Sequence, residues 1–396
     1  MNLYAQHGYG KSDKLDRGFD DGSLDGVIFG PNNERPETLA LCMDQLSNHG
    51  SEPALMIDPQ IYVSMIPNAR EGYLPAYEDY YESNLTLRDL TPRRIQRLVS
   101  NALNFQSRFS VARLIAPTIL LDNLNDRTAQ ISHFLSEAAI EYHSGLENPP
   151  PLLLTYVFNE VALSSHDQIA EFLDTVSLYR AAGFYLIIVR EVGQYQQWFP
   201  SNRMAEWLVM IYSLAVRNRF EVVCGYTDLV GLLAGAVGAN AIATGWFNLL
   251  RQFEIRRFLP ATGGRAPRER YTSGPLLNSI FFQELINCHD AGRLRRVLSG
   301  TRYDQDFQRG GVPDPDRWPP DVSCLHHWAT IRQLCGMLGS RNVRERVTAL
   351  EQAIGRAEMI YADLRERGVT FEPTTGPTHL RQWSQAIALF RAAVRL

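Results

Sequence analysis

Short apolar runs alternate with longer segments of helical periodicity over residues 1–250 of the chain. Eight of the runs are continuously hydrophobic, as is typical of parallel strands that are covered on both faces. The runs lie at residues 3–7, 26–31, 54–58, 112–120, 151–157, 184–190, 221–226 and 238–245. The segments between them carry apolar residues at every third or fourth position, which predicts helices that pack on a sheet.

Strands that alternate with helices place the chain in the α/β class. Eight strands favour a closed (β/α)8 barrel, or TIM barrel, over the alternative of an open doubly wound sheet. The last unit is the clearest, because Gly231, Ala234 and Gly235 are small enough to let a helix cross two strands closely. The predicted barrel covers residues 1–258 and ends with a helix at 247–258.

The pattern changes after residue 258, and residues 259–396 are predicted to form a helical C-terminal domain. Gly, Pro and Arg dominate residues 260–274, which is typical of an exposed connection. Two short helices are expected within 276–298, whereas 299–321 contains four prolines and should be irregular. Three longer helices follow near 322–338, 342–367 and 377–394.

The second of these helices carries apolar residues at alternating spacings of four and three, which is a coiled-coil-like seam. The seam consists of Val343, Val347, Leu350, Ile354, Ala357, Tyr361 and Leu364. We expect it to pack against the last helix of the chain. A homodimer contact or a contact with a partner protein through these C-terminal helices is the alternative.

The composition is that of a folded protein without a membrane span. Hydrophobic residues make up 45% of the chain and charged residues 21%, which is ordinary for a globular protein. No apolar run approaches the roughly 20 residues of a transmembrane helix, and the N-terminus lacks the features of a signal peptide. The five cysteines show no C-x-x-C spacing, so free thiols and a cytoplasmic location are expected.

Residues 59–89 form the longest stretch without clear periodicity in the predicted barrel, and they contain five tyrosines. A loop of this length inside a compact domain is usually a lid or a substrate-binding loop. We therefore expect this segment to act as a lid over the barrel mouth.

Polar residues at the carboxyl ends of the strands are the candidates for chemistry, because barrel enzymes place their sites there. Asp58 and Glu191 follow different strands, and two carboxylates at one mouth are able to divide the roles of acid and base. The candidates for substrate binding are His7, Lys11, Gln60, Asn159, Glu160, Arg190, Tyr226, Asp228, Gly245 and Trp246. Helix capping and tight turns are the alternative roles for such residues.

No metal or cofactor is assigned from the sequence. Barrel carboxylates together with His7 are suitable ligand types, but their spacing matches no metal motif. Zinc is a minor alternative in the C-terminal part, where the spacing of the Cys and His residues fits no standard finger or knuckle. These residues are Cys288, His289, Cys324, His326, His327 and Cys335.

A basic run lies at the junction of the two predicted parts, interleaved with Phe253, Phe258 and Tyr271. Arginine and aromatic residues together are suited to contact the phosphates and bases of nucleic acid. The alternative is a solvated face whose arginines pair with acidic residues. The candidate nucleic-acid-binding residues are Arg256, Arg257, Arg265, Arg268 and Arg270.

A barrel with a long segment after the third strand, Asp58-Pro59-Gln60 at the end of that strand and a helical tail resembles the tRNA-guanine transglycosylases. Those enzymes exchange a guanine for a deazaguanine base in nucleic acid. Asp58 takes the place of the aspartate in the family's Asp-Ser-Gly-Gly-Phe-Gln motif. The eighth strand, near which the family has its nucleophilic aspartate, contains no carboxylate here, and the family's three-cysteine, one-histidine zinc pattern is missing.

The resemblance implies a divergent transglycosylase-like protein that binds or exchanges a purine or deazapurine base. If it is active, it is a glycosyltransferase that transfers a pentosyl group, with nucleic acid as one carrier of the base and a bacterial antiviral defence or modification operon as one setting. The first alternative is a barrel enzyme that acts on a small phosphorylated or acidic substrate through Asp58, Glu191 and the turn at Gly245. The second alternative is a non-catalytic barrel that binds a partner protein.

Overall fold

Parallel strands occupy all eight predicted positions in a computed structural model, which describes residues 1–10, 12–191, 193–260, 263, 268–339 and 342–396. The order around the barrel is β3-β2-β1-β9-β8-β7-β6-β4, and β5 also pairs with β6. The strands are β1 (Asn2–Gln6), β2 (Gly26–Phe29), β3 (Ala54–Ile57), β4 (Leu114–Ile115), β5 (Leu120–Leu121), β6 (Leu152–Asn159), β7 (Gly183–Val189), β8 (Glu221–Gly225) and β9 (Ala241–Thr244).

The fourth barrel position is divided into the two short strands β4 and β5, which pair with the same strand β6. Pro117 lies between them, and proline interrupts a strand because it has no N–H to donate to the ladder. The N–H of Ala112 donates to the carbonyl of Leu55 at 2.8 Å and so connects β3 to the residues that lead into β4. The barrel is therefore nearly closed, and the predicted (β/α)8 TIM-barrel class is confirmed.

Helices follow the strands as predicted, and several begin with a side-chain cap. Asp126 accepts hydrogen bonds from the N–H groups of Thr128 and Ala129, and Ser165 accepts one from Gln168. The helices of the barrel are α1 (Lys14–Asp20), α2 (Pro36–Ser47), α3 (Pro92–Gln106), α4 (Arg127–Ser144), α5 (His166–Val176), α6 (Ser201–Tyr212), α7 (Gly231–Val237) and α8 (Asn248–Arg251).

The final barrel helix, predicted at 247–258, is wrong in its extent. Only α8 is α-helical there, and a 3-10 turn at Ile255–Phe258 follows it. Between the two, the backbone of Phe253 lies beside the end of β7 and accepts a hydrogen bond from the N–H of Arg190 at 2.8 Å. This pairing with a strand requires an extended backbone, which ends the helix.

The C-terminal part is largely helical, but it also contains two β-hairpins that the sequence patterns did not predict. One of them, formed by β10 (Arg270–Ser273) and β11 (Asn278–Phe281), precedes the two short helices expected within 276–298, so those helices begin later than predicted. The elements are β10 (Arg270–Ser273), β11 (Asn278–Phe281), α9 (Phe282–Asp290), α10 (Leu294–Val297), β12 (Gln308–Arg309), β13 (Val312–Pro313), α11 (Pro320–Leu338), α12 (Val343–Glu366) and α13 (Thr378–Val394).

The C-terminal helices pack directly on the barrel. α13 lies along α6, α11 contacts α1 and β1, and α12 contacts both α7 and α13. All seven residues of the predicted seam on α12 are buried. The last helix, α13, therefore contacts α12 as expected, and the barrel helix α7 packs against α12 as well.

The tyrosine-rich segment 59–89 is packed against the barrel rather than extended into solvent. It contains 3-10 turns at Ile61–Met65 and Leu74–Ala76. Tyr62, Tyr77, Tyr80 and Tyr81 are buried, and the rings of Tyr77 and Tyr80 pack on Phe105 of α3. The predicted lid segment is therefore packed on that side of the barrel in this structure, and its movement stays a prediction.

None of the helices in the described residues combines the length and the apolar character that crossing a bilayer requires.

Candidate functional site

Polar side chains from several strands meet in the upper part of the barrel interior. Tyr185 of β7 donates from its hydroxyl to the Oε1 atom of Gln6, at the end of β1, over 3.2 Å. Gly225 makes room for this tyrosine, because a Cβ atom there would lie 2.5 Å from the Tyr185 ring. Thr155 is the register partner of Tyr185 on β6, so it shares the same face of the sheet. The barrel interior is therefore polar at this level.

Asp58, which directly follows β3, lies in this interior and is 1% exposed. Its Oδ2 atom accepts a hydrogen bond from the Tyr62 hydroxyl at 2.8 Å, and its Oδ1 atom accepts one from the N–H of Gln60 at 3.1 Å. Burial raises the pKa of the Asp58 carboxyl to about 6, although the two hydrogen bonds and the charge of Arg257 act in the opposite direction. Asp58 is thus poised to exchange a proton near neutral pH.

Gln60 connects Asp58 to the end of β8. Its backbone is left-handed, with φ of 56°. The Oε1 atom accepts the N–H of Asn32 at 3.0 Å, and the Nε2 atom lies 3.5 Å from the Tyr226 hydroxyl. A carboxyl, an amide and a phenol hydroxyl therefore converge within one small region.

Residues 246–258, here called the cover segment, close this region from solvent. Phe253 is fully buried, and its ring packs against the rings of Tyr62 and Tyr226 at centroid distances of 5.6 and 4.8 Å. The Arg257 guanidinium lies 4.9 Å from the Tyr226 ring centroid. Three backbone hydrogen bonds hold the segment, from Gly245 to Leu250, from Arg190 to Phe253 and from Arg70 to Phe258.

Three buried polar atoms of this region have no hydrogen-bond partner among the described residues: Gln6 Nε2, Thr155 Oγ1 and Arg257 Nη1. Buried polar groups are almost always paired, and an unpaired one costs about 1–3 kcal/mol of stability. Two of the atoms are donors and the hydroxyl is able to donate or accept. The region therefore offers hydrogen bonds that a polar ligand would be able to use.

The other predicted catalytic residue, Glu191, lies on the rim of the mouth and is 47% exposed. Arg203 pairs with both Glu191 and Glu160, at 3.0 and 3.2 Å, and Arg190 pairs with Glu160 at 3.1 Å. Asp58 and Glu191 thus have different partners and different environments. Glu160 and Arg190, two predicted binding residues, are engaged with each other.

A cavity of about 230 Å³ opens beside this ion-pair chain. Its lining includes Asn159, Arg190, Glu191, Glu254 and Arg256. The cavity brings four of the predicted site residues together at the rim, away from the buried Asp58 cluster.

Asp228 belongs to a second buried cluster, between the end of β8 and the C-terminal part. Its carboxylate accepts hydrogen bonds from Gln197 at 2.8 Å and from the Tyr195 hydroxyl, and it lies 3.6 Å from His327. Burial raises the pKa of Asp228 to about 6, and the charge of Arg251 opposes the shift. These contacts give Asp228 a role in joining the two parts of the chain.

Two further predicted substrate residues, His7 and Trp246, lie just after the ends of β1 and β9. His7 is buried, with Nε2 3.5 Å from the Glu34 carboxylate and its ring against Phe29 and Trp246. The indole N–H of Trp246 donates to the carbonyl of Tyr9 at 2.9 Å. Lys11 lies outside the described residues.

Gly245 serves a tight turn. A Cβ atom at this position would lie 2.2 Å from the Cβ of Leu250, and the Gly245 carbonyl accepts a hydrogen bond from Arg251 at 2.9 Å. Close packing therefore accounts for Gly245, which the sequence analysis predicted to form a ligand-binding turn.

The basic run does not form one surface. Arg256 is exposed and pairs with Glu254, and Arg268 pairs with Glu372 through two hydrogen bonds. Arg257 is half-buried over Tyr226, and Arg270 packs on Phe281 and donates to the Ser279 carbonyl at 2.6 Å. Arg265 lies outside the described residues. Salt bridges and aromatic packing thus occupy the four described arginines.

Five of the six candidate Cys and His residues of the C-terminal part are buried in the core, whereas His289 is partly exposed and pairs with Asp290. His326 contacts Thr301 and the Thr272 carbonyl, and His327 contacts Thr244 and the Thr272 hydroxyl. Burial lowers the pKa of His326 to about 4, so the ring is neutral. Among the described residues, no three His, Cys, Asp or Glu side chains are grouped as a metal site.

Several residues of the Asp58 cluster were not among the predicted site residues: Tyr62, Thr155, Tyr185 and Phe253. Two of them carry a sequence signal, because Thr155 and Tyr185 are polar residues in the middle of otherwise apolar strands. Tyr62 and Phe253 reach the site from irregular segments, where no periodicity indicates the direction of a side chain.

No protein-family model matches the chain, and no curated protein is significantly similar to it. The function is therefore inferred from the fold and from the geometry of the site.

Proposed function

We propose that the barrel is a divergent transglycosylase-like protein that binds a purine or deazapurine base at Asp58. The observation that carries the proposal is the convergence of the Asp58 carboxyl, the Gln60 amide and the Tyr226 hydroxyl beneath Phe253. Planar heterocycles are recognised by hydrogen bonds to their edges and by aromatic rings on their faces. Both kinds of group are present at the carboxyl end of the barrel.

Each group has a role in the proposed complex. Asp58 accepts a hydrogen bond from an N–H group on the edge of the base, while Gln60 is able to donate and to accept. Phe253 and Tyr226 supply apolar faces, and Arg257 supplies a cation above one of them. Because the pKa of Asp58 is raised to about 6, the carboxyl is also suited to give a proton to a departing base.

Base recognition is the core of the proposal, and base exchange is its extension. Exchange in the transglycosylase manner uses a nucleophile in addition to the base-binding aspartate. Glu191, the other carboxylate that the sequence singled out, is paired with Arg203 at the rim. Pentosyl transfer would therefore require Glu191 to leave Arg203 and to approach the base at Asp58.

A binding measurement on Asp58→Asn tests the proposal. The substitution keeps the shape of the side chain but removes its charge, and it replaces one acceptor by a donor. In isothermal titration calorimetry with guanine and 7-deazaguanine, we expect affinity to fall at least about tenfold, or about 1.4 kcal/mol. Uracil serves as the ligand control, and Asp44→Asn, an exposed position on α2, serves as the protein control.

Two outcomes would contradict the proposal. One is the absence of purine binding by the unsubstituted protein. The other is a lower melting temperature for Asp58→Asn with unchanged affinity in the folded fraction, which would make Asp58 a structural residue.

The rim cavity favours a second candidate function, the conversion of a small phosphorylated or acidic substrate. Arg190 and Arg256 line the cavity together with Glu191. The two arginines supply cations for an anionic group of the substrate, and Glu191 supplies a carboxylate next to them. Mass spectrometry of small molecules that co-purify with the protein distinguishes the candidates. A nucleobase favours the Asp58 site, whereas a sugar phosphate favours the rim.

A further inference from the structure

A cavity separate from the barrel mouth lies where α12 ends and α13 begins. It measures about 620 Å³, within the range of roughly 300–1,000 Å³ that is usual for small-molecule sites. Neither the Asp58 cluster nor the rim cavity shares any of its residues. The lining residues are Glu358, Tyr361, Ala362, Arg365, Val369, Thr370, Phe371, Gly376, Pro377, Thr378 and Arg381.

The floor of this cavity is aromatic, and hydrogen bonds connect it to its surroundings. The rings of Tyr361 and Phe371 meet edge to face, with centroids 5.0 Å apart. The Tyr361 hydroxyl donates to the Thr375 carbonyl at 2.7 Å, and Asn278 donates to the same carbonyl at 2.9 Å. Glu284 fixes the connection further by accepting the Thr375 hydroxyl at 2.6 Å. The wall is thus held in place by buried hydrogen bonds before any ligand arrives.

Two arginines stand on the rim of the cavity, Arg365 on α12 and Arg381 on α13. Both are exposed, and no ion pair within the described residues engages either guanidinium. The neighbouring acids are used elsewhere, because Asp363 pairs with Arg293 and Glu372 pairs with Arg268. Two cations without an ion pair among the described residues therefore face one cavity, whose lining also includes the carboxylate of Glu358.

The first turn of α13 adds to this positive character. Thr378, the first residue of α13, lines the cavity, and the residue at the N-cap position, Pro377, supplies no side-chain hydrogen bond to the turn. Helix N-termini of this kind favour anions. Glu358 lies on the other side of the arginines, seven residues before Arg365 on α12, or about 10 Å along the helix axis. It is placed to accept hydrogen bonds from hydroxyl groups.

We infer that this cavity binds a small aromatic anion of nucleotide size. Its phosphate group lies against Arg365, Arg381 and the first turn of α13. Its ring lies on Tyr361 and Phe371, and its hydroxyl groups face Glu358. The site is separate from the base site proposed in the barrel, and it does not depend on that proposal.

Uridine 5′-monophosphate is a suitable probe, because a pyrimidine nucleotide avoids the purine preference proposed for Asp58. In isothermal titration calorimetry at low salt, we expect the full chain to bind this nucleotide. Uridine and inorganic phosphate, which each present only part of the ligand, should bind at least about tenfold more weakly. Added salt should weaken the binding of the nucleotide.

Substitutions locate the site. Arg365→Gln and Arg381→Gln should each lower the affinity at least about fivefold, and Phe371→Ala should lower it as well. Arg344→Gln, an exposed arginine at the start of the same helix α12 and about 30 Å from Arg365, should leave the affinity unchanged. Asp58→Asn should also have no effect.

The inference is overturned if the nucleotide fails to bind at millimolar concentration. It is equally overturned if the arginine variants, shown to be folded by circular dichroism, bind as tightly as the unsubstituted chain. Equal affinity for the nucleotide and for inorganic phosphate would show that an anion alone is bound and would remove the aromatic part of the ligand.

Discussion

At the scale of single residues, two buried carboxyls are the most informative groups of the molecule. Asp58 and Asp228 both have a pKa raised to about 6, and burial is the largest cause for each. They differ in their surroundings, because Asp228 is enclosed by Tyr195, Gln197 and His327, which join the barrel to the C-terminal part. Among the described residues, the Asp58 region contains three unpaired polar atoms, whereas the contacts of Asp228 include only one residue with such an atom, Gln197. Asp58 is therefore the better candidate for a ligand contact.

The raised pKa of Asp58 predicts how stability depends on pH. In the unfolded chain the carboxyl loses its proton near the ordinary value of 3.8, whereas the folded protein holds the proton until about pH 6. The free energy of unfolding therefore falls as the pH rises between these values, by up to about 1.4 kcal/mol per pH unit for each such group. Asp58→Asn should remove the share of this residue, while the other carboxyls with raised pKa values, such as Asp228 and Glu254, keep theirs.

Urea unfolding between pH 4 and pH 7 measures the effect. Asp44→Asn, at an exposed position, should retain the full decline of the unsubstituted protein. If Asp58→Asn shows the same pH dependence as that control, the Asp58 carboxyl is not protonated in the folded protein at pH 5, and its proposed part in proton transfer fails.

At the scale of elements, two irregular segments close the barrel in different ways. Segment 59–89 packs its tyrosines on α3. The cover segment 246–258 is held by backbone hydrogen bonds, by side-chain hydrogen bonds of Trp246 and Gln252, and by the buried ring of Phe253. Since Asp58 is buried beneath Phe253, a ligand reaches it only when the cover segment moves.

Phe253→Leu tests the role of the cover segment. The smaller side chain loses ring contacts with Tyr62 and Tyr226, so we expect the free energy of unfolding to fall by roughly 1–2 kcal/mol. Opening becomes easier, and stopped-flow measurements should show faster association of the base. Phe134→Leu, at an exposed position on α4, should change neither quantity. An association rate that stays the same in a destabilised Phe253→Leu variant would show that the ligand does not pass this segment.

At the scale of the whole molecule, the C-terminal part completes the barrel rather than extending from it. Arg332 of α11 pairs with Asp25 beside β2, His327 contacts Thr244 at the end of β9, and Trp383 of α13 donates to the Gln197 carbonyl at 2.6 Å. The predicted basic run is divided between different environments. Arg270 is largely buried, while Arg256 and Arg268 are exposed.

The distribution of arginines limits what nucleic acid would be able to contact. If Arg256 and Arg268 bind phosphates, a plot of log affinity for single-stranded RNA against log salt should become shallower by about 1.4 for the double variant Arg256→Gln/Arg268→Gln. Arg180→Gln, which precedes the amino end of β7 at the far side of the barrel, should keep the original slope. Fluorescence anisotropy at low salt measures both, and a lack of any binding would remove polynucleotide from the proposed function.

The sequence by itself determined the barrel, because an apolar run bounded by polar residues is a local signal for a buried strand, and eight such runs alternate with helices. It also placed Asp58 at the mouth, since the position after a strand follows from the strand. Only the tertiary structure decided that Glu191 pairs with Arg203, that Phe253 closes the mouth and that His326 and His327 bind threonines. These outcomes depend on residues distant in the chain, and side-chain partners across irregular segments leave no periodic pattern in the sequence.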